Sequence, residues 1–156
     1  MKSNIYKRIL VATDGSKLSE CTLKYAIEIA RISGARLYAV YVVDTADFAS
    51  IPMESDAGWE TMYSVLRDEG KDATQKVEEL AKKVGVEVEQ VELEGHPSEE
   101  IVQFANKENM DIIILGTHGK SGLSSILMGS VAENVIRTST KPILVVPAIS
   151  KKDKSH

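Results

Sequence analysis

A single cysteine, Cys21, stands among the 156 residues. One thiol closes no intramolecular disulfide, so a reducing compartment is the expected home. Glu20 beside it denies the electropositive setting that makes a reactive thiolate, and Cys21 reads as a small helix residue. Long apolar runs are also missing. Nothing approaches the roughly 18 residues needed to span a bilayer, and Ile9 to Ala12 is too short for the apolar region of a signal peptide. A cytoplasmic protein with no membrane partner is expected. Nor is there an excess of positive charge: 19 basic residues against 23 acidic ones leave a formal charge of −4. That balance disfavours non-specific binding to nucleic acid or to an anionic membrane surface, so any phosphate site must act locally. No internal repeat and no second domain are evident. The expected organisation is one domain over residues 1–149, with a polar tail over 150–156, and a chain of this length needs neither disulfide nor metal to bury a core.

What is present is an alternation of strand-length apolar runs with helical periodicity, the pattern of a parallel sheet wrapped by helices. Arg8 to Thr13 reads as the first strand. Leu18, Thr22, Tyr25, Ala26 and Ile29 then form one face of a helix that Gly34 ends. Leu37 to Val43 is the second strand. Periodicity is lost from Thr45 to Gly58, which includes Pro52 and reads as a long loop. A second helix keeps Trp59, Met62, Leu66, Ala73, Val77, Leu80 and Val84 on its apolar face, weakened by Gly70 and stopped by Gly85. Val86, Val88 and Val91, alternating with Glu87 and Glu89, suggest an edge strand. Pro97 opens a third helix with Glu99 and Glu100 at its positive end, and Ile101, Phe104 and Ala105 face inward. Ile112 to Leu115 is the fourth strand and Pro142 to Pro147 the fifth. The expected fold is an open, doubly wound, five-stranded parallel α/β sheet, Rossmann-like, in the order 3-2-1-4-5.

In such a sheet ligands bind beyond the carboxyl ends of the strands, where the strand order reverses. Two signals converge there. Asp14 ends the first strand, and its carboxylate suits ribose hydroxyls or a metal. Gly116 ends the fourth and opens a loop through Gly119, Gly122 and Gly129, spaced G-x2-G-x9-G-S as far as Ser130. Glycines let backbone N–H groups approach an anion closely, and a helix start favours negative charge. Ser130 and Glu133 form a capping box ahead of Val131, Val135 and Ile136. A nucleotide's phosphates fit this cradle.

Neighbouring motifs fail. Gly119-Lys120-Ser121 resembles the end of a Walker loop, but Ile114 stands where its first glycine belongs, and G-x-G-x-x-G follows neither strand. Gly116-Thr117-His118-Gly119 has the form of the KH-domain loop, yet it follows a strand in an acidic chain. His118 has no second histidine at ligand spacing and no nucleophile elbow nearby, so a hydrogen-bonding role in the loop is expected of it. His96 reads as a helix cap, and His156 lies in the tail. No catalytic residue and no protein metal ligand is assigned.

Ala12-Thr13-Asp14, Val42, the G-x2-G-x9-G-S spacing and the closing Pro142-Ile143-Leu144-Val145-Val146-Pro147 together resemble the universal stress protein family, over about Ile5 to Pro147. The glycine-serine motif is similar to that of the family's ATP-binding branch. The resemblance implies that Asp14 contacts the ribose and adenosine side and that the backbone at Val42 reads the adenine edge. It further implies that Leu115 and Gly116 line the sugar and phosphate path, and that Gly119, Gly129, Ser130 and Val131 meet the triphosphate. Mg2+ or Mn2+ bridging the phosphates, and a homodimer through the strand Pro142 to Pro147, are implied in the same way. Ala12 stands where some relatives carry proline, which frees the backbone near the adenosine and removes no polar contact.

Three functions compete on these residues. The first is a nucleotide-responsive stress-response module, in which ATP alters the loop from Gly116 to Gly129 and the surface it offers a protein partner. The second is a slow ATP-hydrolysing enzyme of the adenine nucleotide α-hydrolase-like superfamily, for which no base to activate water is evident. The third, a dimeric scaffold indifferent to nucleotide, leaves Asp14 and the glycines unexplained.

Overall fold

The computed structural model describes residues 5–45, 56–117 and 128–147. Their strands form one parallel sheet in the order β3-β2-β1-β4-β5, where β1 is Arg8–Ala12, β2 Arg36–Asp44, β3 Val88–Gly95, β4 Ile112–Gly116 and β5 Ile143–Val146. This is the order expected from the sequence. Four helices are described: α1 (Ser19–Ser33), α2 (Asp56–Lys82), α3 (Pro97–Lys107) and α4 (Ser130–Thr138). The two crossovers that step from β1 out to β3 put α1 and α2 on one face, and the return to β4 and β5 puts α3 and α4 on the other. Two cores follow. Ile9, Val11, Leu37, Ala39, Ile112 and Ile114 meet α1 and α2. Leu10, Tyr38, Val40, Ile113 and Leu115 meet α3 and α4. Strands buried on both sides cannot alternate with polar residues, which is why β1 and β4 read as unbroken apolar runs.

Several boundaries differ from the sequence reading. Thr13 lies just past β1, although its N–H still donates to Val40 O at 2.9 Å. Part of the expected loop is helical, because α2 begins at Asp56. Val86 is buried but precedes β3, which runs on to Gly95. The apolar faces are narrower than drawn: Tyr25, Met62, Leu80 and Val84 are exposed. Tyr25, Met62 and Leu80 lie at the border of their helix's buried stripe, where a spacing of four carries a side chain past the sheet, and Val84 lies in the turn beyond the end of α2. Gly34 does end α1 in the left-handed region, at φ +70°.

Gly70 is a packing requirement of α2. A Cβ there would lie 2.8 Å from Cδ1 of Tyr41 and 3.1 Å from Oε1 of Glu92. The helix backbone therefore rests directly on β2 and β3. Thr74, buried one turn on, donates its hydroxyl to Gly70 O at 2.9 Å.

The two rims of the sheet differ. On β3, Glu89, Gln90 and Glu94 are exposed, and Glu87 is exposed just before it. On β5, Ile143, Leu144 and Val145 are half-buried, and Pro142 and Pro147 flank the strand.

Candidate functional site

The site is a notch left by the shortness of β1. Its ladder with β2 ends at Ala12 opposite Val40, while β2 continues to Asp44. On the other side Val11 pairs with Ile114, and β4 continues through Leu115 to Gly116. Beyond Ala12 the sheet therefore lacks its central strand. Val40 turns its carbonyl toward β1, where it accepts from Thr13. Backbone direction alternates along a strand, so Val42 turns its own N–H and C=O the same way, into the space that β1 has vacated.

Asp14 follows the end of β1 in a tight turn. Its Oδ1 accepts from the N–H of Ser16 at 2.9 Å, and Thr13 Oγ1 accepts from Gly15 at 3.2 Å. Gly15 holds φ +79°, a conformation that L side chains rarely adopt. Asp14 thus has a turn role, with lone pairs to spare for a ligand.

The opposite wall is the end of β4 and the start of α4. Thr117 donates to Val146 O at 3.0 Å, and Gly129 donates to Thr117 O at 2.6 Å, which fastens the helix start to the strand end. Gly129 is the residue capping α4, with extended backbone at φ −66° and ψ 155°, and Glu133 N–H closes the first helical bond on its carbonyl. Ser130 is consequently the first helical residue, so the expected capping box does not form. Gly129 has no side chain with which to cap this end. The N–H groups of Ser130, Val131 and Ala132 belong to the turn that a helix leaves without internal acceptors, and they carry the positive end of its dipole. An anion is the natural partner of such a turn.

Of the residues singled out in the sequence, Ala12, Asp14 and Val42 are thus gathered on one side of the notch, and Leu115, Gly116, Gly129, Ser130 and Val131 on the other. His118 and Gly119 lie outside the described residues. Among the described residues no group of three or more His, Cys, Asp or Glu is placed to hold a metal ion. His96 precedes Pro97 as expected but caps no backbone with its side chain; its Nδ1 lies 3.1 Å from Ser98 Oγ.

Sequence reasoning missed a second cavity. On the α1 and α2 side of the same turn lies a cleft of about 280 Å³, bounded by Asp14, Ser16, Glu69, Asp72 and Lys76 among others. Lys76 Nζ bridges to Glu20 Oε1 at 2.8 Å and ties α2 to α1. That bond holds the exposed Glu20 carboxyl below its ordinary value, chiefly through the hydrogen bond itself and then through the ammonium charge. Glu69 and Asp72 sit on the helix side that periodicity assigned to solvent, so no motif marked them.

A parallel sheet whose strand order reverses between β1 and β4, with helices on both faces, defines a doubly wound α/β protein, a class whose ligands bind at the topological switch point. Within that class the chain belongs to the universal stress protein family, whose model matches residues 5–147. It is similar to universal stress protein MJ0531 of Methanocaldococcus jannaschii, 46% identical over 143 residues, covering 92% of this chain and 83% of that one. The solved structure of MJ0577 superposes with a TM-score of 0.81 at 35% identity, covering 94% of this chain and 99% of the other. MJ0577 is a universal stress protein of the same organism. A universal stress protein from Archaeoglobus fulgidus in complex with dAMP superposes at a TM-score of 0.63 and 26% identity, covering 91% and 98% of the two chains. A further one, solved in complex with cAMP, gives 0.65 and 25%, covering 92% and 98%.

Proposed function

We propose that this chain binds ATP in the notch beyond β1 and serves as a cytoplasmic, nucleotide-responsive module of the stress response. One observation carries the reading: Asp14 follows the end of β1, and the start of α4 is fastened to the end of the neighbouring strand β4, so both stand at the same end of the sheet beside the gap where β1 has ended. The gap supplies what an adenine nucleotide needs in sequence. Val42 offers backbone groups to the adenine edge, Asp14 accepts from ribose hydroxyls, and Leu115 and Gly116 line the path to Gly129, Ser130 and Val131, which meet the phosphates. His118 and Gly119 are the remaining members of the proposed ATP-binding set. The adenine nucleotides bound by the two solved relatives support the same ligand class.

A divalent ion, Mg2+ or Mn2+, would enter with the nucleotide. The described residues offer it no cage of carboxylates or imidazoles, which suits an ion held chiefly by phosphate oxygens and water. Its role there is to neutralise phosphate charge.

In this reading bound nucleotide alters the loop from Gly116 to Gly129, and the altered surface is what a protein partner reads. The chain acts as a homodimer in which two copies of β5 pair antiparallel about a two-fold axis, since β5 is the last strand of the sheet among the described residues and lies between flanking prolines. The helices described include none long and apolar enough to cross a membrane. Mass spectrometry of the ligand retained through native purification tests the central claim. Retained ATP or ADP is the expected result; a preparation that neither retains nor takes up an adenine nucleotide overturns it.

A further inference from the structure

The exposed apolar residues of α1 lie on one flank, and that flank borders the free rim of the sheet. Glu20 reaches Lys76 and so marks the side of α1 that faces α2. Helical periodicity turns Cys21, Tyr25, Ile29 and Ile32 away from that side. There α1 packs over β4, β1 and the rim strand β5. No described helix covers this face beyond α1, because α2 packs on β2 and β3. Tyr25 is 55% exposed and Ile32 56%. Ile29 and Leu144 are partly buried against the same core, and the register Ile114 to Leu144 puts Leu144 on this face. The result is an apolar step, floored by Leu144 and walled by α1.

We propose that this step is the second layer of the homodimer interface, and that its occupant is the same step of a second copy. The proposal rests on the reading of β5 as the pairing strand. Area is the first argument. A strand of four residues, Ile143–Val146, presents roughly 13 Å of edge, and a strip about 10 Å across covers on the order of 130 Å². A specific interface buries about 800 Å² on each partner. Strand pairing alone falls well short, and the surface next in line on the α1 side is Tyr25, Ile29 and Ile32. Charge is the second. A two-fold axis sets a residue close to its own mate, so a charged flank would repel itself. Cys21, Tyr25, Ile29 and Ile32 carry no charge, whereas the charged residues of α1, Glu20, Lys24, Glu28 and Arg31, lie elsewhere on the helix. Glu28 and Arg31 moreover pair with each other.

Sedimentation equilibrium on the full chain tests this with three variants: Tyr25→Lys combined with Ile32→Lys, Val145→Lys in the strand, and Val65→Lys, an exposed apolar position of α2 remote from the rim. Both α1 substitutions replace solvent-exposed side chains, and circular dichroism checks that the variant is folded. The α1 variant is expected to dimerise roughly 30-fold more weakly than wild type, the size of a hot-spot loss, with Val65→Lys unchanged. An α1 variant that dimerises as tightly as wild type, while Val145→Lys does not dimerise, overturns the second layer and leaves strand pairing standing. A wild-type chain that is monomeric at micromolar concentration overturns both.

Discussion

Gly129 donates its N–H to the carbonyl of Thr117 at 2.6 Å, so the chain on either side of the glycine-rich loop is fastened together. The first turn of α4 is held at the mouth of the notch by backbone alone. Gly129 has an extended conformation open to any residue, which separates its role in binding from its role in folding. Gly129→Val should therefore fold normally and lose ATP binding, because its side chain stands where phosphates approach the backbone. Titration calorimetry checks this, and undiminished affinity in the variant would remove the phosphate site from this helix.

Asp14 has two roles that two substitutions can part. Asp14→Ala removes both the ligand acceptor and the acceptor for Ser16 N–H. Nucleotide affinity should fall by about 1.5–3 kcal/mol, and stability by about 1 kcal/mol. Asp14→Asn keeps an oxygen for the turn and should recover the stability while affinity stays low. Nucleotide titration beside thermal melting distinguishes the two effects.

ATP turnover should be slow or absent. No Walker lysine is in register, and His118 is the residue of the loop worth mutating as a candidate base. Single-turnover assays should give rates far below the enzyme median of about 10 per second. A rate near that value would favour a hydrolase, with His118→Ala as the next measurement.

Gly70→Ala should destabilise the protein although alanine is the better helix former. The propensity gain is about 1 kcal/mol. Against it, the new methyl would meet the Tyr41 ring at 2.8 Å, an overpacking of the kind that costs about 1–3 kcal/mol. Urea denaturation should show a lowered midpoint with an unchanged slope.

The Glu20–Lys76 bridge offers a titration. Glu20 should titrate below its ordinary 4.5 in the wild type and close to it in Lys76→Met, as carbon NMR of the carboxyl would report. Because the folded value is the depressed one, the bridge contributes above the unfolded-state value and is lost as pH falls through the folded one. A Glu20 that titrates alike in both proteins would mean that the ammonium is not its partner in solution.

The central strands and their order were legible because burial on both faces forces apolar runs such as Ile112 to Leu115, which admit few readings. Asp14 and Gly116 were legible as a pair for the same reason: strand ends are easily located, and strand order brings them together. Side-chain exposure at the borders of helices was not. Periodicity assigns Tyr25 and Leu80 to an apolar face, yet whether that face meets a sheet or ends at its rim depends on which strand lies beneath. Gly70 looked like a weakness because its reason, the ring of Tyr41, lies 29 positions away in the chain. The helix start at Ser130 shifted by a single residue, since the glycine before it could serve as the cap unaided.

In the proposed homodimer, the contrast between the two rims of the sheet sets the valence of the molecule. Glutamates on and just before β3 repel a like strand, whereas the short apolar β5 invites one. A unit with two adhesive ends polymerises, and a unit with one can only cap another. Under the proposed pairing of β5 the chain is its own terminator: the first partner consumes the one adhesive end, and assembly stops at two.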